Sequence, residues 1–210
     1  MQGQGKNIKK QQQETTFQRI ERMHPHKMLL YLAIIGSGLI FVFMVIAYTI
    51  SKPQAAFLEN FVMPKAFTCS TFILLISGFI STKLEKFYNQ DDIPKLNYAL
   101  GIILILGVCF SVSQYIGWLE LQESGIYFAG KASGSFLYVL TGLHVVHLLG
   151  GLLFLTYLFV HTMWVVKDPI RNLIMVTNPY QKIKLQIFVI YWQFLDTLWI
   201  FLFFYFLFTL

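Results

Sequence analysis

The sequence has few charged residues and few cysteines, and each shortage excludes a class of protein. Only 12% of the 210 residues are Asp, Glu, Lys or Arg, whereas about 25% is usual in a soluble domain. The two cysteines, Cys69 and Cys109, lie in separate apolar segments and form no C-x-x-C pattern. A disulfide framework and a thiolate metal site are therefore not indicated, and the composition is that of a membrane protein.

Five long apolar stretches make up most of the chain, at about 28–50, 66–82, 97–119, 134–164 and 185–210. Each is close to or above the roughly 20 residues that cross a bilayer core as a helix. All six prolines lie outside these stretches, as expected because proline breaks the helical hydrogen-bond ladder. We predict an all-α membrane protein with transmembrane helices at about 28–50, 66–88, 97–119, 134–164 and 185–210. A polar tail, residues 1–27, precedes them and lacks the features of a signal peptide.

The basic residues are distributed unevenly between the two sides of the predicted bundle. Thirteen of the sixteen Lys and Arg residues fall in the tail and in the loops on the same side of the membrane, and three fall on the other side. The positive-inside rule then predicts a cytoplasmic N-terminus and a periplasmic C-terminus. The net charge of +6 indicates contact with lipid headgroups and no nucleic-acid partner.

Asp196 is the only acidic residue within the apolar stretches. A charge near the bilayer centre costs roughly 2.5–3.5 kcal/mol on insertion scales, so this side chain is expected to face protein, water or a partner subunit, or to stay protonated. It could belong to a proton relay or form an interhelical hydrogen bond. We favour the hydrogen bond, because a relay normally needs a second titratable group.

His144 and His147 are one helical turn apart in the stretch GLHVVHLLGG and share one face of the fourth helix. They could be metal ligands, proton carriers or packing groups. Haem or copper would need histidines from several helices, and no other apolar stretch carries one, apart from His161 at the end of the same helix. We therefore predict no metal or cofactor on this chain and a polar packing network of His144, His147, Asp196, Gln114, Gln193 and Tyr191.

Small residues are spaced for close helix packing in the third and fourth apolar stretches. Small-x-x-x-small pairs and glycines let helix backbones approach one another in lipid. The residues concerned are Gly107, Ser111, Ser113, Gly117, Gly142, Gly150 and Gly151.

Three motifs resemble subunit III of the haem-copper terminal oxidases in its short, five-helix bacterial form. GSFLYVLTGLHVVHLLGGLLFL (134–155) is similar to the family's Leu-Thr-Gly-x-His-x-x-His-x-x-Gly-Gly helix. YWQFLDTLWIFLF (191–203) is similar to its Tyr-Trp-His-Phe-x-Asp-x-x-Trp helix, and LGVCFSVSQ (106–114) to its Leu-Gly-x-x-Phe-x-x-x-Gln segment. The motifs occur in the family's order.

The resemblance implies a non-catalytic, multi-pass subunit of a cytochrome c oxidase in the bacterial inner membrane. Haem and copper would be in partner subunits, with oxygen reduction and proton pumping in subunit I. Subunit III would pack on subunit I, bind structural phospholipid, and support proton uptake and oxygen access.

Three titratable positions of the family pattern are absent here. The Ser-Glu or Ser-Asp pair of the first helix becomes Ser37 and Gly38, the Glu of Gln-x-x-Glu becomes Gly117, and the last-helix histidine becomes Gln193. These departures argue against proton conduction through this chain itself.

Three other functions stay open at this point. An accessory chain of a quinol oxidase or nitric oxide reductase would carry similar motifs. A small membrane transporter has little motif support. An isolated b-type cytochrome is disfavoured because only one spanning helix carries histidines.

Overall fold

The computed structural model describes residues 25–51, 64–129 and 132–209, and within these ranges the chain is helical, with no strand. There are seven helices in this part of the chain: α1 Pro25–Ser51, α2 Lys65–Ser81, α3 Leu84–Asn89, α4 Ile93–Glu123, α5 Ala132–Val166, α6 Pro169–Thr177 and α7 Pro179–Thr209.

Among the described residues, five spans are long and apolar enough to cross a membrane, which confirms the predicted class. They are formed by α1, by α2 with α3, and by α4, α5 and α7. In a bilayer the backbone polar groups must be satisfied within the segment, and a helix achieves this.

The helix ends differ from the predicted boundaries by several residues because capping, and not hydropathy, determines them. α4 begins at Ile93 instead of 97. Asp92 precedes its first residue, and the Asp92 carboxylate accepts a hydrogen bond from the backbone N–H of Lys95 in the first turn. The Lys95 ammonium, 2.6 Å from the Asp92 carboxylate, and to a lesser extent this backbone contact hold the pKa of Asp92 below its usual range. α7 begins at Pro179 instead of 185, and the predicted helix 66–88 is interrupted between Ser81 and Leu84.

The predicted tail, residues 1–27, lies mostly outside the described residues. Its last three residues, Pro25 to Lys27, already belong to α1. Position 25 suits a proline because the first turn of a helix has no intrahelical acceptor for its N–H groups.

Four of the spanning helices form a closed bundle. α2 packs against α4, α4 against α5, α5 against α7, and α7 against α2. α1 lies outside this ring and packs mainly against α5 and α7. The large side chains at the centre are aromatic, and the Trp199 ring lies 5.2 Å from Phe110 and 5.9 Å from Phe67 in edge-to-face contacts. Such pairs contribute about 0.5–1.5 kcal/mol each beyond area burial.

Candidate functional site

His147 on α5 makes hydrogen bonds at both ring nitrogens. Nδ1 lies 2.8 Å from the Leu143 carbonyl oxygen of the same helix, and Nε2 lies 2.9 Å from Ser37 Oγ on α1. A carbonyl oxygen only accepts, so Nδ1 carries the proton and Nε2 of the neutral ring accepts from the Ser37 hydroxyl. The ring therefore connects α1 to the closed bundle.

Tyr191 brings α7 to the same place on α5. Its hydroxyl donates to the His147 carbonyl oxygen at 3.0 Å. Ser37, His147 and Tyr191 thus join α1, α5 and α7.

His144 lies in a different environment from His147. It is fully buried, and its ring is 5.7 Å from that of Phe110 and 5.1 Å from that of Trp199. Neither ring nitrogen has a hydrogen-bond partner among the described residues. His144 is therefore an aromatic packing group of the bundle centre, enclosed by rings.

Asp196 on α7 is 5% exposed and points at α2. A Cβ added at Gly78 would overlap its Oδ2 atom, so the carboxyl group lies directly on the α2 backbone. Neither carboxyl oxygen has a hydrogen-bond partner in the described part of the chain. An ionised carboxylate in such a place is costly, which favours a neutral carboxyl group here.

The two glutamines bind α2 and not the histidines. Gln114 Nε2 donates to Ser70 Oγ at 2.8 Å. Gln193 Nε2 donates to the Gly78 carbonyl at 2.8 Å and to Ser81 Oγ at 2.6 Å. The structure therefore differs from the expected single network of His144, His147, Asp196, Gln114, Gln193 and Tyr191, because only His147 and Tyr191 are directly joined.

Sequence reasoning missed the polar stripe of α2, which accepts hydrogen bonds from α4 and α7. Trp192 Nε1 donates to Ser77 at 2.9 Å, and Trp199 Nε1 donates to Thr71 at 3.1 Å. Two signals were present: the Ser and Thr residues spaced along α2, and two tryptophans whose indole N–H needs an acceptor when buried. The stripe consists of Ser70, Thr71, Ser77, Gly78 and Ser81.

The predicted small-residue contacts are formed at some positions and not at others. A Cβ at Gly107 would lie 2.6 Å from Leu152, and one at Gly151 would lie 3.2 Å from Tyr191. Nothing lies within 4 Å of a Cβ at Gly150, and only Trp118, at 3.9 Å, lies near one at Gly142. Gly150 therefore lies on the exposed face of α5. The spacing of small residues along the sequence does not show which of them face a neighbouring helix. Of the two serines, Ser111 donates to the carbonyl of Gly107 on its own helix, and Ser113 donates to the carbonyl of Ala66 on α2 at 2.9 Å.

One departure from the family pattern has a packing counterpart. The Phe67 ring occupies the space that a side chain at Gly117 would need. A Cβ added at Gly38 would lie 4.0 Å from the Phe194 ring, which is an ordinary contact distance.

No three His, Cys, Asp or Glu side chains within residues 25–51, 64–129 and 132–209 are grouped to hold a metal ion. The donor groups that are present also fit one poorly. Both nitrogens of His147 are hydrogen-bonded within the protein, and those of His144 face aromatic rings. The site can join helices, and it offers no continuous line of titratable groups.

The fold and this polar interior define a multi-pass helical membrane protein with a packed centre. The sequence model of the family described as cytochrome c oxidase subunit III matches residues 27–209. The chain belongs to that family, as the three motifs predicted.

Curated relatives carry the same description. A cytochrome c oxidase subunit 3 from Bacillus sp. (strain PS3) is 30% identical over 145 residues, which are 69% of this chain and 65% of the relative. The cytochrome c oxidase subunit 3 of Bacillus subtilis (strain 168) is 30% identical over 64% of this chain and 60% of its own length. The probable cytochrome c oxidase subunit 3 of Nocardia farcinica is 28% identical over 63% of this chain and 61% of its own length. The matched part is thus less than two thirds of each of these relatives.

Proposed function

We propose that the chain is the non-catalytic subunit III of an aerobic respiratory terminal oxidase in a bacterial inner membrane, packed on the haem-copper subunit I. The observation that carries the proposal is the family match over residues 27–209, which covers the five spanning helices apart from the first two residues of α1. The names of the curated relatives support assembly with other oxidase subunits.

The donor geometry supports a non-catalytic role. A haem or copper ion would need free imidazole nitrogens, and His147 uses both of its nitrogens to hold α1 and its own helix. His144 is enclosed by Phe110 and Trp199. Redox chemistry is therefore assigned to the partner subunits.

A docking surface is available on the outside of the bundle. α1 packs mainly against two other helices, and its outward side chains, such as Leu32, Phe43 and Ile50, are 67%, 67% and 79% exposed. An apolar surface of this kind is covered by lipid or by another membrane subunit. We assign the contact with subunit I to the outer face of the bundle.

An effect on proton uptake would be exerted through the partner subunits. Gln193 stands where the family has a histidine, and Gly38 and Gly117 stand where it has acids. Asp196 has no titratable neighbour with which it makes a hydrogen bond in the described chain. The chain therefore acts by stabilising the oxidase and by holding lipid beside it, which also shapes the path of oxygen from the bilayer.

The test compares membranes from cells with and without this chain. Oxygen consumption is followed over many turnovers, and nitric oxide consumption is measured in parallel. We expect an oxidase rate that declines faster without the chain and is restored by its re-expression. An unchanged time course of oxygen consumption would contradict the proposal, and a selective loss of nitric oxide consumption would favour an accessory chain of a nitric oxide reductase.

A further inference from the structure

A cavity opens on the outside of the bundle, where α2, α3 and α4 meet. Its volume is about 410 Å³, which lies within the range of roughly 300–1,000 Å³ that is usual for small-molecule sites. The lining comes from the last turn of α2, the break that follows it, α3 and the first turns of α4. The cavity is thus formed by this chain alone.

The cavity extends from a polar end into the apolar part of the spans. Lys83 and Lys95 line its polar end, near the ends of two spans. Ile102 lines it further along α4, about 10 Å from the level of Lys95 for a helix that rises 1.5 Å per residue. This arrangement suits an amphiphile with a polar head and an apolar tail.

The walls of the cavity are aromatic and aliphatic. Phe79 and Tyr98 are 65% and 73% exposed, and Phe87 and Ile102 complete the apolar lining. One turn of a helix about 10 Å wide and 5.4 Å long has a volume of about 420 Å³, which is as much as the whole cavity. A thinner occupant, such as one acyl chain, therefore fits along it better than a partner helix.

The two lysines differ in how far their charge is neutralised. Lys95 Nζ lies 2.6 Å from Asp92 Oδ2. Lys83 Nζ lies 4.9 Å from the centre of the Phe79 ring and forms no ion pair in the described part of the chain. One unneutralised ammonium group at the head of the cavity is complementary to one negative charge.

The surroundings of Lys83 disfavour a phosphate headgroup. Residues 83–95 contain three basic and three acidic residues, so this segment has no excess of positive charge to attract a strongly anionic lipid. Phosphate is bound best by the two-point geometry of arginine, and no arginine is among the described residues that line the cavity. A single carboxylate is the anion that suits one lysine here.

We propose that the cavity between α2, α3 and α4 binds a free long-chain fatty acid. The carboxylate pairs with the Lys83 ammonium, and the acyl chain lies against Phe87, Tyr98 and Ile102. The combination of one unneutralised cation with an apolar cavity narrower than a helix carries this assignment. The inference goes beyond the proposed function and does not depend on the oxidase partners, because this chain alone forms the cavity.

The test uses Tyr98→Trp as the reporter, because this side chain is exposed and lines the cavity. The purified full-length chain in a neutral detergent is titrated with a brominated fatty acid or with its methyl ester, since bromine quenches tryptophan fluorescence. The quenching of the chain without the substitution is subtracted. At about pH 8.5 the carboxylic acid is ionised and lysine is protonated.

We expect the acid to quench the reporter at about five-fold lower concentration than the ester. This factor corresponds to about 1 kcal/mol for one cation near the membrane surface. Ile102→Trp, deeper on the same wall of the cavity, is a second reporter and should show the same preference for the acid.

Matched variants assign the preference to the head of the cavity. Lys83→Gln should abolish it, and Lys83→Arg should retain it because the charge remains. Lys86→Gln removes the same charge from α3 at an exposed position that does not line the cavity, and it should leave the preference unchanged.

Three results would overturn the inference. Equal quenching by acid and ester would show that the carboxylate is not recognised. An equal loss of preference in Lys86→Gln would indicate general attraction by surface charge. A similar preference for brominated phosphatidylglycerol over brominated phosphatidylcholine would indicate a site for anionic lipids in general and not for a fatty acid.

Discussion

The two histidines of one helical turn have different roles because their neighbours differ. His147 receives a hydrogen bond from Ser37 on α1 and donates to its own helix, whereas His144 is enclosed by Phe110 and Trp199. The sequence predicts that the two histidines share a helix face. It cannot predict that they have different partners, because the partners depend on which residues of α1, α4 and α7 contact α5. The environments of Gln114, Gln193 and Asp196 also depend on a neighbouring helix. The two glutamines donate hydrogen bonds to α2, and the Asp196 carboxyl group packs on Gly78 of α2, which lies outside the motifs.

Replacing Ser37 by Ala should destabilise the contact between α1 and α5. The loss should be about 0.6–1.7 kcal/mol, the range for interhelical hydrogen bonds in membranes. A double-mutant cycle with His147→Phe, measured by reversible unfolding in mixed micelles, should give a coupling energy in that range.

Ser111→Ala is the control for this cycle, because its hydroxyl donates only to the carbonyl of Gly107 on its own helix. It should show no coupling to His147. A coupling energy near zero for Ser37, or one of equal size for Ser111, would disprove the role of this hydrogen bond.

Asp196 should tolerate loss of its ability to ionise better than a change of shape. Asp196→Asn keeps the outline of the side chain against Gly78 and should change the free energy of unfolding by less than about 0.5 kcal/mol. Asp196→Leu adds bulk at this contact and should cost about 1–3 kcal/mol. Reversible unfolding of the purified chain measures both, and a loss in the Asn variant as large as that in the Leu variant would show that the carboxyl group itself, and not the outline of the side chain, is required.

At the scale of the helices, hydropathy predicts the number and order of the spans, and capping determines where they end. The five spans are confirmed, while the break after Ser81, the early start of α4 at Ile93 and the short helix α6 are not visible in the apolar pattern. The spacing of small residues correctly predicts close packing at Gly107 and Gly151, but it also predicts close packing at Gly150, where no neighbouring helix is in contact. The pattern does not say which side of a helix faces a neighbour.

Gly117→Ala should destabilise the contact between α2 and α4, because the new methyl group would overlap the buried ring of Phe67. Overpacking of this kind costs about 1–3 kcal/mol.

Gly150→Ala is the matched control, since nothing lies within 4 Å of its added Cβ, and alanine stabilises a helix by up to about 1 kcal/mol relative to glycine. The two variants are compared by reversible unfolding. Equal effects would show that these glycines are not distinguished by their neighbours.

For the whole molecule, the distribution of lysine and arginine predicts which side of the membrane each loop faces. In a chain with Cys69 and Cys109 replaced by Ala, a cysteine at Gln90 should react with a membrane-impermeant thiol reagent only from the cytoplasm. A cysteine at Ser124 should react only from the periplasm. Labelling of intact cells and of inverted membrane vesicles measures this, and the opposite pattern would reverse the predicted orientation.

The central claim is that this chain is a structural subunit of a terminal oxidase. The most direct measurement is purification through a tag in mild detergent, followed by mass spectrometry and an optical spectrum of the proteins that accompany the chain. We predict a haem- and copper-containing multi-pass subunit and oxygen consumption by the purified complex. A colourless single chain, in a preparation cross-linked before solubilisation, would contradict the account.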